Sequence, residues 1–440
     1  MKKQFIFSAI LIVFNALTFI SKAQMIGADV FLQGRYVEVG IGSLGYFGSG
    51  GVPPTGYHGH CTSCLPANSL GFVADPGMDG WAVGTPPMMG DYFVPGSPFE
   101  GWELQVGGKR CQGYNSGTSS AFVYGGGMST CTGSNISYST SGGVTVGVWE
   151  GTIDSIRLTQ ITTLDTNSLY FTVKIILTNL SSAPKDSIYY MRSVDADNDQ
   201  TWPGGSFVTN NMVEYQSTDT TIVSATGTSV SAPYLAFGTT DTAATALVYN
   251  AWGLSIAQDL ASGYAGNTSF GGTSYYTPGI NHPGDIAIGL IMSIPHLASV
   301  DSAGDSVYRT TAVHALHPAN SASFSYFFAF SQGGRDSAIA FLNRVPPPPP
   351  STLSVTNVNE KADIKVYPNP SKDQISITGL TSTDHVALYD MMGRSADQNW
   401  AVTHDGTSTF RYSNVPVGSY VVVITDAGGN IKSRVLVRKN

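Results

Sequence analysis

Short runs of alternating polar and apolar residues, separated by Gly, Asn and Asp, recur along most of this 440-residue chain. The segments 156–162 and 169–177 are the clearest, and Asp165-Thr166-Asn167 between them is a turn sequence, so together they predict a β-hairpin. Alternation directs every second side chain to the same face of a strand. Many short strands with turns between them are typical of sandwiches and barrels. We therefore expect an all-β chain with a large antiparallel β-sandwich body.

The same pattern predicts more strands and little helix in the body. Only one short helix is expected, near residues 254–262. The further predicted strands are 144–149, 187–193, 206–215, 233–238, 244–249, 286–293, 307–316 and 323–330.

Five consecutive prolines, Pro346 to Pro350, mark the clearest boundary in the chain. Such a run forms a stiff spacer without hydrogen bonds of its own, so we assign residues 346–360 as a linker. In the body before it, residues 24–150 are rich in Gly and Pro. They predict either long loops stapled over the sandwich or, as we favour, a β subdomain stapled by disulfides. Residues 151–345 predict the β-sandwich domain, and residues 361–440 form a tail.

The first 23 residues have the pattern of a signal peptide. Lys2 and Lys3 precede an apolar run, and the small residues Ser21 and Ala23 follow it. The run falls short of the roughly 20 apolar residues of a membrane span, and no second run of that kind follows. We expect cleavage near Ala23 and a mature chain that is exported and is not an integral membrane protein.

Four cysteines, all in the first third of the chain, agree with export to an oxidising compartment. An even number predicts two disulfides with three possible connectivities. We favour Cys61 with Cys64 and Cys111 with Cys131, because the second pair closes a Gly/Ser-rich segment that has little apolar content.

Charge excludes one class of partner. Residues 24–360 carry 10 basic and 23 acidic side chains, whereas residues 361–440 carry 9 basic and 7 acidic ones. Like charges repel, so an acidic body argues against nucleic acid or an anionic membrane as its partner. It suits a cation or a neutral polymer.

The tail contains several short motifs in a fixed order. They are Val366-Tyr367-Pro368-Asn369-Pro370, Val386-Ala387-Leu388-Tyr389-Asp390, Met392-Gly393-Arg394, Pro416-Val417-Gly418-Ser419-Tyr420 and the basic run from Lys432 to Lys439. Alternation within each run, with turn residues between, predicts a compact antiparallel domain of about seven strands.

In sequence and order, these motifs closely resemble those of the type A C-terminal sorting domain of the type IX secretion system. The resemblance covers about residues 361–440 and implies a small immunoglobulin-like sandwich that the outer-membrane export machinery binds. It also implies a secreted or cell-surface location, with the domain commonly removed after export. The positions that match the recognition pattern are Pro416, Gly418, Tyr420, Lys432, Arg434 and Lys439.

An acidic segment, Asp195-Ala196-Asp197-Asn198-Asp199, directly follows a predicted strand. Alternate carboxylates on a turn can bring three oxygen ligands to one Ca²⁺ ion, so Asp195, Asp197 and Asp199 are candidate ligands. The Gly and distal Glu of an EF-hand are missing. A solvated turn whose Asp side chains cap their own backbone remains the alternative.

Two other segments allow more than one interpretation. His58, His60, Cys61 and Cys64 offer imidazoles and thiols to zinc, although oxidised cysteines in a pinned loop explain the same residues. The segment from Asp75 to Trp81 is a second acidic turn, for which turn chemistry is sufficient.

No catalytic motif identifies the body as an enzyme: it has no Gly-x-Ser-x-Gly elbow, zincin His-Glu pair or phosphate loop. We therefore assign no catalytic residue. The leading hypothesis is a non-catalytic binding or adhesion protein that binds a glycan or surface polymer, with Trp81, Trp102, Trp202 and Trp252 as possible stacking surfaces. A secreted polysaccharide-active enzyme is the alternative, and an envelope structural component is the third.

Overall fold

A computed structural model gives the fold of the chain. It describes residues 22–58, 69–81, 92, 100–114, 132–198, 206–217, 219–229, 231–241, 243–250, 258–297, 320–344, 364–368, 371–372, 374–381, 383–390, 400–402, 407–411, 415–416, 418–425 and 431–439.

The body begins with a four-stranded antiparallel sheet of order β1-β2-β3-β4. Its strands are β1 (Lys22–Ile26), β2 (Asp29–Gln33), β3 (Val37–Ile41) and β4 (Phe72–Ala74). Val30, Val39 and Phe72 point to the main core, whereas their strand neighbours Phe31 and Val73 form a small second core on the opposite face. The alternation of the strands therefore gives this sheet two apolar faces.

Two larger antiparallel sheets form the rest of the body, with orders β17-β12-β13-β14-β19-β10-β9-β8-β7 and β16-β15-β18-β11-β5-β6. Their strands are β5 (Glu100–Val106), β6 (Lys109–Tyr114), β7 (Thr132–Ser141), β8 (Val144–Ile153), β9 (Ile156–Asp165), β10 (Tyr170–Asn179), β11 (Lys185–Asp195), β12 (Thr209–Gln216), β13 (Thr221–Gly227), β14 (Tyr234–Thr239), β15 (Ala244–Tyr249), β16 (Ser274–Tyr275), β17 (Asn281–Gly284), β18 (Ala287–Leu297) and β19 (Ser321–Ala329).

All three sheets contribute to one continuous apolar core. The four-stranded sheet packs closely on β8 because Gly147 has no side chain: a Cβ there would lie 2.7 Å from Ile41 Cδ1. The predicted hairpin is confirmed, since β9 pairs with β10. The all-β sandwich expected from the sequence is thus the fold of the body.

A loop of residues 43–47 inserts between the sheets. The indole N–H of Trp149 on β8 donates to the carbonyl of Ser43 at 2.9 Å, and that of Trp102 on β5 donates to the carbonyl of Leu44 at 2.8 Å. These bonds connect the loop to both large sheets.

Trp102 is fully buried, so the expectation that it offers an exposed stacking surface is wrong. The centre of its indole lies 5.5 Å from that of Trp149.

A buried ion pair fastens the other half of this loop. Arg192 on β11 bonds to the carboxylate of Glu100 on β5, and the second oxygen of Glu100 accepts the backbone N–H of Phe47 at 2.6 Å. The guanidinium also lies 4.3 Å from the centre of the Phe47 ring and bonds to Gln160 at 3.1 Å. Burial raises the pKa of Glu100 to about 7, although Arg192 opposes that shift. The loop is therefore bound to β5, β8 and β11, and Arg192 links it to Gln160 on β9.

In the described part of the chain, two helices lie on the outside of the sheets. α1 (Leu260–Tyr264) begins after Asp259, whose carboxylate caps the N–H of Ser262 at 2.8 Å. It partly overlaps the helix predicted at 254–262, of which residues 254–257 are outside the described part. α2 (Gln332–Arg344) was not expected from the sequence and packs Ala338 and Leu342 on β14 and β19.

The tail is a separate pair of antiparallel sheets with its own core. The orders are β20-β21-β24-β23 and β22-β25-β26, and the core includes Ile375, Leu388, Val422 and Val437. The seven strands are β20 (Lys365–Tyr367), β21 (Gln374–Thr378), β22 (His385–Asp390), β23 (Trp400–Val402), β24 (Thr407–Arg411), β25 (Gly418–Thr425) and β26 (Ile431–Lys439). This strand count is the expected one, while an immunoglobulin-like topology stays a prediction.

The sheets do not follow the boundary predicted at residue 150. That residue lies inside β8, which pairs with β9 along its whole length. Within residues 24–150, only β1 to β4 form a sheet of their own, and β5 to β8 join the two large sheets. The linker at 346–360 and the predicted strand at 307–316 are outside the described residues.

β1 includes two residues that precede the predicted cleavage point. Lys22 pairs with Gln33, and the N–H of Ala23 donates to Thr140 Oγ1 at 2.8 Å. Cleavage after Ala23 would leave residues 24–26 of this strand paired with β2. The cleavage point itself stays a prediction.

Removing the acidic partner of the buried ion pair tests the importance of the inserted loop. Glu100→Ala leaves Arg192 buried without its carboxylate, so we expect a loss of about 3–5 kcal/mol in the free energy of unfolding, measured by denaturant titration. Glu150→Ala is the control, because Glu150 and Arg157 form a partly exposed pair at 3.9 Å, where the loss should be about 1 kcal/mol or less. Equal losses of unfolding free energy in the two variants would contradict the importance of the Glu100–Arg192 pair.

Candidate functional site

The tail brings several of the predicted sorting residues together. In the ladder between its last two strands, Gly418 on β25 lies opposite Lys439 on β26, and Tyr420 lies opposite Val437. Pro416, just before β25, is exposed. Segments that are about 20 residues apart in the sequence therefore meet at one end of this sheet.

Two buried side chains bond to the backbone at this end. The hydroxyl of Tyr420 donates to the carbonyl of Pro416 at 2.7 Å, and the ammonium of Lys439 donates to the carbonyl of Val415. Tyr420 and Lys439 are each 6% exposed. Side chains from β25 and β26 thus bind two successive carbonyls, those of Pro416 and Val415.

The other two predicted sorting residues lie towards the opposite end of β26. Arg434 pairs with Val423, and the register of the ladder shifts next to Lys432, between Ser433 and Ile431. The structure therefore separates Lys432 and Arg434 from the end where Pro416, Gly418 and Lys439 meet.

The acidic segment of the body is buried. Asp195 ends β11 and is 2% exposed, and within the described part of the chain its Oδ2 has no hydrogen-bond partner. Burial raises the pKa of the Asp195 carboxyl to about 7, and the negative charge of nearby Asp285 adds to the shift. Burial likewise raises the pKa of Asp285.

The residues that follow Asp195 are also inside the fold. Asp197 is fully buried, and its N–H donates to the carbonyl of Tyr92 at 3.0 Å. Asn198 donates to the carbonyls of Ala225 and Pro233 at 2.6 and 2.9 Å. Asp199 is outside the described residues, among which no group of three His, Cys, Asp or Glu side chains could hold a metal ion. The segment is therefore not the solvated turn that was the alternative from sequence.

Of the four cysteines, only Cys111 lies in the described part of the chain. It is fully buried on β6, opposite Leu104 of β5. Cys61, Cys64 and Cys131 are outside that part, so the pairing stays a prediction.

A stacked pair of rings, missed from the sequence, lies over the small second core of the four-stranded sheet. The imidazole of His58 and the indole of Trp81 are parallel within 6°, with their centres 4.5 Å apart. The side chain of His58 is 36% exposed. We call these two residues the His58–Trp81 platform.

The imidazole of the platform is fixed by a buried carboxylate. Glu38 on β3 is fully buried and accepts both the backbone N–H of His58 at 2.6 Å and its Nδ1 at 2.8 Å. Gln33 on β2 donates to the same carboxylate at 2.9 Å. With the proton on Nδ1, the lone pair of Nε2 is directed away from Glu38.

The indole of the platform is fixed by an acidic turn. The carboxylate of Asp75 accepts the backbone N–H groups of Gly80 and Trp81 at 2.9 and 3.0 Å, and the indole N–H donates to the carbonyl of Arg35 at 2.8 Å. Turn chemistry thus explains Asp75, as the sequence indicated. Trp81 was a possible stacking surface from the sequence, but no local pattern predicted that His58 would stack on it, because the two rings lie on separate loops.

The glutamates of the body engage neighbouring groups. Besides Glu38 and Glu100, the carboxylate of Glu103 bonds to Arg110 and Gln112, and that of Glu214 bonds to Tyr234 and Arg335. These carboxylates lie in structural networks within the described part of the chain.

Residues 365–438 match the family described as the secretion system C-terminal sorting domain. No curated protein matches the chain. Among solved structures, a polysaccharide lyase aligns at 10% identity with a TM-score of 0.28, over 96% of this chain and 46% of the lyase. The chain thus spans less than half of the length of that protein.

The tail is therefore a sorting domain of the type IX secretion system, as its motifs indicated. It implies contact with the secretion machinery and a secreted or cell-surface location. No helix in the described ranges has the length and apolar character needed to span a membrane.

Proposed function

We propose that this chain is a non-catalytic binding or adhesion protein whose body binds an uncharged extracellular glycan or similar surface polymer after export. The proposal rests on the His58–Trp81 platform, a partly exposed pair of rings. Hydrogen bonds to Glu38 and to the carbonyl of Arg35 fix the orientation of the two rings. The tail supplies the export signal.

A fixed platform suits a polar polymer with apolar ring faces. Aromatic side chains offer a large apolar surface, and an imidazole adds a directed hydrogen-bonding atom. Glu38 orders His58, and Asp75 orders the turn before Trp81, so little side-chain entropy is lost when a ligand binds. The acidic body favours an uncharged polymer over an anionic one.

The hydrogen bonds of the glutamates support binding over hydrolysis. Glycoside hydrolysis uses two carboxyl groups across one cleft. The glutamates of the described body are bonded to Arg, Gln, His, Tyr or backbone groups of the fold, which makes them structural groups.

Removal of the indole tests the platform. For Trp81→Ala we expect affinity for the bound polysaccharide to fall about tenfold or more, equivalent to ~1.4 kcal/mol. The measurement is a glycan array followed by pull-down with insoluble polysaccharides. The control is Tyr215→Ala, another exposed aromatic residue on β12, which should bind normally. Equal binding by Trp81→Ala and the parent chain would disprove the platform.

A polysaccharide-active enzyme is the second candidate, and Asp195 and Asp285 favour it. A buried carboxyl with a pKa of about 7 beside another acid suits a general acid. Reducing-sugar release, followed in the same pull-down, separates the two functions. Release by the parent chain that is lost in Asp195→Asn would replace the binding proposal.

We also propose that the acidic segment binds Ca²⁺ through Asp195, Asp197 and Asp199. The buried Oδ2 of Asp195 supports this, as does the Oδ1 of Asn198, because neither has a hydrogen-bond partner within the described part of the chain. A hard cation would compensate such buried oxygens.

Calcium should stabilise the body. At a concentration a hundredfold above Kd we expect Tm to rise by roughly 5–10 °C, because a ligand that binds only the folded state shifts unfolding by mass action. Calorimetry with Ca²⁺ and with a chelator measures the shift. It should vanish in Asp195→Asn and persist in Asp219→Asn, a change in an exposed loop. An unchanged Tm in the parent chain would rule the site out.

A further inference from the structure

We propose that strand β7 (Thr132–Ser141) is a dimerisation edge, at which two copies of this chain pair antiparallel through residues 137–141. β7 is the last strand of the nine-stranded sheet, and in the described part of the chain it pairs only with β8. The backbone N–H and C=O groups on the other side of such a strand form a template for a further strand. The inference concerns the body and does not depend on what the body binds.

β7 is uncovered along almost its whole length. Nine of its ten residues are exposed, and only Asn135 is buried. The N–H of Ala23 donates to the side chain of Thr140, which projects from a face of the sheet and leaves the backbone edge open. A strand of ten residues is also long, because strands usually have about five or six. A second strand therefore meets an extended edge here.

The other edges of the two large sheets carry features that oppose strand addition. β17 has four residues and contains Pro283, which has no N–H to donate to a further strand. β16 has two residues, and its Tyr275 stacks on His282 of β17 with the ring centres 3.8 Å apart, so the rings join these two edges. β6 carries Lys109 and Arg110, and charges on an edge hinder pairing. β7 contains neither a proline nor a charged residue.

A second copy of the chain suits this edge because it brings no opposing charge. Residues 111–149 contain no Asp, Glu, Lys or Arg, although residues 24–360 carry 10 basic and 23 acidic side chains. Two acidic bodies repel each other over most of their surfaces, and this repulsion is smallest at β7. An edge strand also complements a copy of itself about a two-fold axis. We therefore favour a copy of this chain over a charged protein partner.

A β-bulge selects the segment that pairs. In the ladder with β8 the register shifts between Asn135 and Ser137, and residues 137–141 then pair without interruption. A bulge bends and twists its strand, so a new strand is confined to the longer straight segment after it. Antiparallel pairing of 137–141 with its copy centres the two-fold axis on Ser139. It also brings Tyr138 opposite Thr140 of the partner subunit, and such aromatic and β-branched pairs stabilise sheets.

The pairing closes on itself. Among the described edges of the two large sheets, each copy has one long uncharged edge, so association ends at a dimer and does not continue into a fibre. A dimer carries two His58–Trp81 platforms, which allows a repeating polymer to bind at two places.

Sedimentation and hydrogen exchange of the exported protein test the pairing together. A short edge contact buries little surface, so we expect a reversible equilibrium between monomer and dimer below roughly 1 mM. Amide exchange in residues 137–141 should slow as the dimer forms, whereas exchange in β17 should not change with concentration. A monomer up to that concentration, a larger oligomer, or a dimer without slower exchange in residues 137–141 would each overturn the proposal.

A charge swap at the two-fold axis separates pairing from folding. Ser139→Lys places two like charges directly opposite each other, so we expect the Kd of the dimer to rise about fivefold, and Ser139→Glu should have the same effect. An equal mixture of the two variants should recover the parental Kd, because opposite charges then meet at the axis. Ser134→Lys is the control and should leave Kd unchanged, since Ser134 is exposed on the same strand but lies before the bulge. A mixture that does not recover the dimer, or an equal loss in Ser134→Lys, would contradict the pairing.

Discussion

The body depends on the insertion of one loop, residues 43–47, between its sheets. Trp149, Trp102 and Arg192 bond to three successive carbonyls of this loop, at Ser43, Leu44 and Gly45. These side chains come from β8, β5 and β11, so one stretch of backbone connects strands from both large sheets. A buried backbone segment needs such partners, because its polar groups have left water.

The same arrangement recurs in the tail and at the His58–Trp81 platform. In the tail, Tyr420 and Lys439 bond to two successive carbonyls. At the platform, the carboxylate of Asp75 accepts successive backbone N–H groups. In each case, buried polar side chains bond to the backbone of an irregular segment and so fix its path. The three segments are the loop 43–47, residues 415–416 and the turn before Trp81. These bonds satisfy polar groups of irregular backbone that would otherwise be buried without partners.

Local pattern was sufficient to predict part of this. Alternation predicted β8 and β9, because each has one buried face and one partly exposed face, and the motif order identified the tail. α2 was missed because Gly333 and Gly334 interrupt its helical pattern. The inserted loop was missed because its residues resemble a Gly-rich linker. Its partners, like those of the platform, come from distant strands, and no local pattern encodes which of them will meet.

We infer that the tail is an address and that the body folds without it, because each has its own apolar core. The most direct measurement is the location of a chain that ends at residue 363, compared with the full chain in cells that carry the export machinery. We predict that the truncated chain accumulates on the periplasmic side of the outer membrane. Its body should be as resistant to protease as that of the full chain. Delivery of the truncated chain to the surface or medium, in the amounts seen for the full chain, would contradict the claim.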